Sequence, residues 1–162
     1  MIMPVIRLAT GADLSAWSAL RAELWPVETA EEHAVEAAQM LTAHDADALV
    51  AVDATGRLIG FVEVSLRPYA EGCNSSPVGF IEGWYVDAAH RRSRIGAALI
   101  RAAEDWARSR GCTEMASDTE VENVDSQAAH ERLGYTVAGV LVAYRRSLEG
   151  GEAATDDSIR RV

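Results

Sequence analysis

Hydrophobic residues recur at helical spacing near the start of the chain. Four apolar positions lie three or four residues apart: Leu14, Trp17, Leu20 and Leu24. This spacing places them on one face and predicts a helix from about Ala12 to Trp25. Thr10 and Asp13 stand at the N-cap and N3 positions of a capping box, and Pro26 disfavours continuation of the helix. The pattern therefore indicates an amphipathic first helix with defined ends.

A second helical pattern covers Ala30 to Thr42. Its inward-facing residues are predicted to be Val35, Ala38 and Leu41. The segment also carries three carboxylates: Glu31, Glu32 and Glu36. We expect its exposed side to be strongly negative, which serves solubility and adds to a field that attracts cations.

Strand-like patterns occur before the first predicted helix and again after the second. Val5–Leu8 is a first short strand, and two runs rich in Val, Ile and Phe, Ala48–Asp53 and Leu58–Arg67, predict an antiparallel hairpin. A further strand is predicted over Gly79–Val86, after a turn-rich loop. Period-two alternation places four of its residues on one face: Phe80, Glu82, Trp84 and Val86. Glu82 is thus predicted to share a face with large apolar side chains.

The second half of the chain contains the clearest helical pattern. Its apolar positions are Ile95, Leu99, Ala103 and Trp106. This helix should end before Gly111, a suitable C′ residue. A strand over Cys112–Ser117, a helix over Ser126–Leu133 and one or two last strands within Tyr135–Ser147 are predicted to follow.

The order of these elements predicts the fold class. Helices interleaved with mostly consecutive strands indicate an α+β fold, a mixed and mainly antiparallel sheet flanked by helices. Residues 1–148 form one domain in this interpretation. Residues 149–162 offer little to bury and are predicted to form a mobile tail.

The charge of the chain restricts its partners. Fifteen Lys and Arg against 25 Asp and Glu give a formal net charge of −10. Such a surface repels nucleic-acid phosphates and anionic lipids and favours the approach of cationic small molecules. We therefore expect no nucleic-acid partner.

Cysteine usage and hydropathy indicate the compartment of the protein and the absence of a metal site. Cys73 and Cys112 lack the spacing of a disulfide framework or a zinc site, so reduced thiols and no metal are expected. The longest apolar stretch, Ile95–Ala103, is interrupted by Arg101 and is shorter than the ~20 residues of a membrane span. The first residues lack the features of a signal peptide. These observations predict a cytoplasmic protein with no membrane partner.

The turn from Arg91 to Ala97 carries the strongest chemical signal. It precedes the best-defined helix, so its backbone amides lie at a helix N-terminus, where a phosphate group can bind. It lacks the Gly-Lys-Ser/Thr ending of a nucleotide-triphosphate loop and the Gly-x-Gly-x-x-Gly of a dinucleotide site. The signal is therefore for a phosphate-bearing ligand of another kind.

Arg91-Arg92-Ser93-Arg94-Ile95-Gly96 resembles the acetyl-CoA motif of the GNAT N-acetyltransferase superfamily, Arg/Gln-x-x-Gly-x-Gly/Ala. Arg94 stands where the motif has its first glycine. Because an ordinary helical conformation suits a non-glycine residue, we expect cofactor binding to survive, with the guanidinium aiding a phosphate. The resemblance implies that strands four and five splay apart to admit acetyl-CoA. It assigns cofactor contacts to Tyr85, Val86, Arg91, Arg92, Ser93, Arg94, Ile95, Gly96 and Ala97.

Further segments narrow the resemblance. They are Leu24-Trp25, Ser76 to Val86, His90 to Ser93, Cys112-Thr113-Glu114 and Ala116-Ser117-Asp118. Together they are similar to the aminoglycoside 6′-N-acetyltransferases from Ile6 to Arg145. The resemblance implies acetyl transfer from acetyl-CoA to the 6′-amine of the antibiotic by direct attack, which gives resistance. Two alternatives stay open: a GNAT enzyme for another cationic amine, such as a polyamine, amino sugar or peptide N-terminus, and a non-catalytic acyl-CoA sensor.

The resemblance also implies roles for single residues. Glu82 is the general base, acting through a water, and Asp118 binds the cationic substrate, although the opposite assignment of the base stays open. Trp25 lines the antibiotic site. His130 occupies the position of the superfamily's general-acid tyrosine and is the candidate that protonates the leaving thiolate, with Tyr144 as a weaker candidate.

Glu82, Asp118 and Trp25 each have a plain structural alternative. Glu82 could be a half-buried strand residue paired with an arginine, Asp118 could cap a loop, and Trp25 could be a packing residue.

For the oxyanion, the resemblance implies a backbone amide near Tyr85 or Val86. It also implies a homodimer, with the contact near Val140–Leu148.

Overall fold

The computed structural model describes residues 4–149, and its centre is a five-stranded sheet. The strands follow chain order across the sheet: β1 (Val5–Leu8), β2 (Ala46–Val52), β3 (Leu58–Arg67), β4 (Val78–Val86) and β5 (Met115–Ser117). Neighbouring strands pair antiparallel except β4 and β5, which are parallel. The predicted α+β class with a mixed, mainly antiparallel sheet is confirmed.

Helices cover both faces of this sheet. Within the described residues they are α1 (Leu14–Leu24), α2 (Ala30–Met40), α3 (Ile95–Ser109) and α4 (Val124–Arg132). None of them is long and apolar enough to cross a membrane. On one face α3 buries Leu99 and Ile100 against the sheet, and on the other α1 and α2 enclose Trp17 and Phe61. The active-site residues discussed below are therefore divided between two faces.

A 3₁₀ turn over Gly11–Asp13 leads directly into α1, and this turn carries the predicted capping box. Asp13 Oδ2 accepts hydrogen bonds from the backbone and the hydroxyl of Thr10, at 2.8 and 2.9 Å. Arg7 on β1 donates to both oxygens of the same carboxylate. The Arg7 guanidinium and the Thr10 donors hold the pKa of Asp13 well below its ordinary value. β1 and α1 are thus joined by one buried carboxylate.

The predicted inward face of α2 is wrong at Val35 and Ala38, which are exposed, whereas Leu41 packs against the core as predicted. Val35 is 49% exposed, whereas His33 and Ala37 are fully buried. Ala37, rather than the larger Val35, packs into the core with Trp17 and Phe61. His33 Nε2 also lies 3.1 Å from the backbone oxygen of Trp25, which ties α2 to the end of α1.

A β-bulge in β4 changes the predicted alternation. Glu63 of β3 pairs with Gly83, but Val64 pairs with Ile81, so Glu82 is an extra residue in β4. The prediction that Phe80, Glu82, Trp84 and Val86 share a face is therefore wrong. Trp84 and Val86 pack with the α3 core, while Glu82 contacts Ser65 on the opposite face. The bulge turns Glu82 toward α1 and α2.

β4 and β5 separate at the same place. They pair over Gly79–Ile81, and their last pair is Ile81 with Ser117. β4 continues to Val86 without a strand on that side among the described residues. The expected splay of the two strands is confirmed.

The last predicted strands are not formed in the single chain. Residues 136–149 contain no strand, and Val140, Leu141 and Val142 are 74%, 73% and 75% exposed. The prediction fails because a strand forms only by pairing with a neighbour, and this segment has no such pairing within the described chain. The predicted tail lies outside the described residues apart from Glu149.

Candidate active site

Glu82 is half-buried at the bulge and is held by three donors. The Ser65 hydroxyl and Arg67 Nε, at 3.0 Å, donate to Oε1, and Arg67 Nη2 donates to Oε2 at 2.6 Å. The Arg67 guanidinium also lies over the ring of Phe80, 3.4 Å from its centroid. Glu82 is thus paired with an arginine in this structure, which was the structural alternative for this residue. A carboxylate so placed can bind a cation or accept a proton only by exchanging some of these contacts.

Trp25 packs against the backbone of β4 directly beside Glu82. A Cβ atom at Gly83 would lie 2.3 Å from the indole ring, so the ring occupies space that only glycine leaves free. Arg21 lies over the same ring, 4.8 Å from its centroid. Trp25 is half-buried and forms a wall next to the bulge.

A buried charge network supports that wall. Arg21 donates to Glu63 and Glu36, and the Trp17 indole donates to Glu63 at 2.9 Å. The Arg21 and Glu63 side chains are only 4% and 3% exposed, whereas Glu36 is 49% exposed. Burial raises the pKa of Glu63, and the Arg21 charge opposes that shift. Arg21 therefore connects the core of the α1 face with the protein surface.

A cleft of about 390 Å³ opens where these groups meet. It is lined by Arg21, Glu36, Gln39, Met40, Ala43, Ser65 and Glu82. Its two carboxylates, Glu36 and Glu82, come from α2 and β4, so carboxylate oxygens face the cleft from two sides. This arrangement suits a ligand with several ammonium groups.

The turn before α3 lies on the other side of β4. The first i to i−4 hydrogen bond of α3 joins the Ala98 amide to the Arg94 carbonyl at 3.0 Å. The amides of Ile95, Gly96 and Ala97 therefore have no partner within the helix and are free to bind phosphate. Arg91 Nε donates to the Val86 carbonyl at 3.1 Å, which fastens the turn to the end of β4.

The expected conformation of Arg94 is wrong. Arg94 has φ +66° and ψ +3°, in the left-handed region, and Arg92 has φ +64°. The chain must turn sharply to enter α3, and the glycine of the motif adopts this conformation freely, whereas a residue with a Cβ atom does so at a cost of about 1–2 kcal/mol. The turn keeps the shape of the motif although Arg94 has replaced its first glycine.

Gly96, the second motif glycine, makes room for an indole. A Cβ atom at this position would lie 2.8 Å from the ring of Trp84, and Trp84 Nε1 is buried without a hydrogen-bond partner among the described residues. The close approach of α3 to β4 leaves three free amides beside the unpaired edge of β4. These features fit a ligand that carries phosphate and amide groups, such as acetyl-CoA, with the Tyr85 and Val86 backbone on that edge.

His130 reaches the splayed strands from α4. Its Nδ1 lies 2.8 Å from the Ser126 carbonyl, which can only accept, so Nδ1 carries a proton. Its Nε2 lies 3.0 Å from the hydroxyl oxygen of Ser117. The ring stands edge-on to Trp84 and Tyr135, with centroids 5.6 and 5.7 Å apart. His130 therefore meets the last paired residue of β5 on the α3 face.

Asp118 follows Ser117 and is exposed, at the start of an acidic loop with Glu120 and Glu122. Since Ser117 pairs with Ile81, Asp118 and Glu82 come directly after paired residues on neighbouring strands. Tyr144 is 92% exposed and does not pack near these groups in the single chain. No group of three or more His, Cys, Asp or Glu side chains in residues 4–149 could hold a metal ion.

Several residues here were missed from the sequence: Arg21, Glu36, Glu63, Ser65, Arg67 and Ser117. A lone carboxylate inside the apolar run of β3 was a signal that Glu63 has a buried partner. The contact of Arg67 with Glu82 could not be foreseen, because a turn-rich loop separates β3 from β4 and conceals their register.

Comparison with known proteins agrees with this geometry. The chain matches the Acetyltransferase (GNAT) family over residues 14–135. It is 45% identical over 148 residues to an aminoglycoside N(6′)-acetyltransferase type 1 of Klebsiella aerogenes, covering 90% of this chain and 97% of the relative. A protein of the same name from Stenotrophomonas maltophilia is 44% identical over 147 residues, covering 90% and 95%.

Solved structures give the same assignment. AAC(6′)-Iy in complex with the bisubstrate analogue CoA-S-monomethyl-acetylneamine superposes with a TM-score of 0.86 at 35% identity, covering 90% of this chain and 99% of that one. The apo aminoglycoside 6′-N-acetyltransferase AAC(6′)-IG of Acinetobacter haemolyticus has a TM-score of 0.85 at 39% identity with the same coverage. The chain therefore belongs to the GNAT family of acetyltransferases and, within it, to the family of the type 1 aminoglycoside N(6′)-acetyltransferases.

Proposed function

We propose that this protein transfers an acetyl group from acetyl-CoA to the 6′-amine of aminoglycoside antibiotics and thereby gives resistance. The observation that carries the proposal is the pair of recognition surfaces on opposite faces of β4. One is a cleft with two carboxylates, Glu36 and Glu82, and the other is the amide-bearing N-terminus of α3. The relatives reported above support the same reaction.

The acceptor binds on the α1 face in this proposal. Asp118 and the cleft carboxylates bind its ammonium groups, and Trp25 contacts its sugar rings. Glu82 accepts the proton of the reacting amine through a water. We assign this role to Glu82 because its carboxylate lies at the bulge, where β4 and β5 separate. The amine attacks directly, so no acetyl-enzyme forms.

The donor binds on the α3 face. Acetyl-CoA supplies a thioester that the amine can attack. The amides of Ile95, Gly96 and Ala97 bind its phosphates, with the side chains of residues 91–94 around them. The unpaired β4 edge offers backbone amides near Tyr85 and Val86 that can hold the pantetheine and stabilise the oxyanion. His130 in its imidazolium form supplies the proton for the leaving thiolate: Nδ1–H stays on the Ser126 carbonyl, and the proton on Nε2 reaches the site through the Ser117 hydroxyl.

We also propose a homodimer. The apolar side chains of residues 140–148 are exposed among residues 4–149, and pairing this segment with a second copy would bury them. Residues 1–148 then form one acetyltransferase domain, as the sequence predicts. The place of action is the cytoplasm, where acetyl-CoA and free thiols such as Cys73 and Cys112 are kept.

The proposal is tested by release of thiol from acetyl-CoA. Neamine, which has a 6′-amine, is compared with paromamine, which has a 6′-hydroxyl group, alongside spermidine, glucosamine and a peptide amine. We expect turnover with neamine and little with paromamine, and NMR of the product should show a 6′-acetamide. Activity only on the other amines would indicate a different GNAT acceptor, and acetyl-CoA binding without turnover would indicate a sensor.

The resistance part of the proposal needs its own measurement. Expression of the protein in a susceptible bacterium should raise the inhibitory concentration of an aminoglycoside with a 6′-amine. The Glu82→Gln variant, expressed at the same level, is the matched control and should raise it far less. Equal protection by both proteins would contradict the role of Glu82.

A further inference from the structure

The two carboxylates that line the cleft, Glu36 and Glu82, are each paired with an arginine, and the two arginines differ in how firmly they are held. Arg21 is 4% exposed, contacts two carboxylates and lies over Trp25. Arg67 is 40% exposed, and in the described residues its only carboxylate partner is Glu82. Arg21 is therefore a fixed part of the cleft, whereas Arg67 can exchange its partner.

The contacts of Glu82 explain why this exchange is needed. An ionised carboxylate offers about four lone-pair sites. The Ser65 hydroxyl and the two Arg67 nitrogens occupy three of the sites on Glu82. The negative charge of Glu82 is also neutralised by the guanidinium. A substrate ammonium that approached Glu82 would meet a second cation already in its place.

We infer that Arg67 is a specificity-determining residue that holds the place of the substrate ammonium on Glu82 and is displaced when the acceptor binds. The inference rests on the proposed function and adds a competing cation to it. A cationic 6′-amine pairs its charge with Glu82 when it binds, before its proton passes to Glu82 through the water, and it must displace Arg67 to do so. A 6′-hydroxyl group needs no such displacement, because it can use the lone pair that Arg67 leaves free.

Exposure and packing make the displacement feasible. Half-exposed ion pairs contribute little to stability, so the guanidinium leaves Glu82 at a small cost in free energy. Its position over the Phe80 ring lies next to solvent, and cation–π contact can persist while the carboxylate contact is lost. The buried Arg21 pair lacks this freedom.

The experiment measures binding of neamine and paromamine by calorimetry in the protein without acetyl-CoA. Arg67→Met removes the cation and keeps an apolar chain on Phe80. We expect the Kd of neamine to fall about 3- to 10-fold and that of paromamine to stay unchanged. In turnover, the KM for neamine should fall while kcat does not rise. Arg108→Met is the matched control, since Arg108 is an exposed arginine on α3 that pairs with Glu104 and Asp105.

Arg67→Lys keeps the charge but cannot make the bidentate contact, so its effect on neamine should have the same direction and be smaller. This variant also serves if Arg67→Met does not fold. An unchanged or higher Kd for neamine in either variant would overturn the inference, and so would an equal change for paromamine or for Arg108→Met. If the parent neither binds nor acetylates neamine, the proposed function fails as well, whereas parent turnover with an unchanged Kd overturns only the role of Arg67.

Discussion

Two tryptophans lie on opposite faces of β4, and each is placed by a glycine. On the α1 face, which is the proposed acceptor face, Trp25 occupies the space above Gly83, and on the α3 face, which is the proposed donor face, Trp84 occupies the space beside Gly96. The surroundings of the two indoles differ. Trp25 is stacked by Arg21 within a network of carboxylates, whereas Trp84 packs with His130 and the apolar core.

This difference shows how one strand serves two kinds of recognition. The acceptor face uses side-chain charges, which suit an ammonium-rich ligand and depend on pH and on ion pairing. The donor face uses backbone amides and close packing, which suit a ligand that carries phosphates and amides. Variants on one face should therefore alter one ligand and leave the other unchanged.

The largest effect is expected at Arg21, because the acceptor face depends on its buried charge. Arg21→Met leaves Glu63 buried without its partner, which should lower the free energy of unfolding by about 3–5 kcal/mol. Urea unfolding at pH 7 measures this loss. Arg21→Met/Glu63→Leu should recover most of it, and a double variant no more stable than the single one would contradict the explanation.

The same variant predicts a dependence on pH. Burial raises the pKa of Glu63, and Arg21→Met removes the charge that opposes this shift, so the folded variant keeps the Glu63 proton at pH values at which the unfolded chain has lost it. The stability of Arg21→Met should therefore rise as the pH falls from 8 to 5. The double variant, which lacks the carboxyl group, should not show this rise.

Glu82→Gln tests the acceptor face through activity. Loss of a general base typically costs about 10²–10³-fold in kcat, and we expect a loss of this size with neamine. The Kd of acetyl-CoA, measured by calorimetry, should stay unchanged because the proposed cofactor site lies on the α3 face. A parent-like kcat would transfer the role of base to Asp118, for which Asp118→Asn is the corresponding variant.

The surroundings of Glu82 show which parts of the structure the sequence could predict and which it could not. The helices and most strands followed from periodicity, and the turn before α3 followed from its motif. The register of β3 on β4, and with it the bulge at Glu82, depends on contacts between distant segments that no local pattern records. The strands predicted near the C-terminus failed because they need a partner that the single chain does not supply.

Alanine at each of the two glycines should separate the faces. Gly83→Ala pushes against Trp25 and should raise the KM for neamine about 10-fold, while Gly96→Ala pushes against Trp84 and should raise the Kd of acetyl-CoA by a similar factor. Each variant should leave the other ligand unchanged. Substitution of the facing tryptophan by phenylalanine should relieve the clash in part. If both alanine variants weaken both ligands, the faces are not independent.

Asp13 joins β1 to α1 on the α1 face, so its substitution tests how charge on that face contributes to stability. Asp13→Asn removes the Arg7 ion pair and should cost about 1 kcal/mol at pH 7. The folded-state pKa of Asp13 is lowered, so its contribution is present above about pH 4 and is lost as the pH falls below that value. Thermal unfolding of both proteins between pH 7 and pH 3 should show the difference shrinking. A constant difference would indicate that packing, rather than charge, is lost.

Arg94 gives the smallest effect and tests the donor face. Its left-handed backbone is unfavourable for any residue with a Cβ atom, so Arg94→Gly should stabilise the fold by about 0.5–1 kcal/mol. If the guanidinium aids a phosphate, the same variant should bind acetyl-CoA about 2- to 5-fold more weakly. Arg94→Ala separates the two effects, because it keeps the strained backbone and removes the charge. It should lose affinity without gaining stability, and tighter binding by Arg94→Gly than by the parent would show that the backbone strain, rather than the charge, limits the donor face.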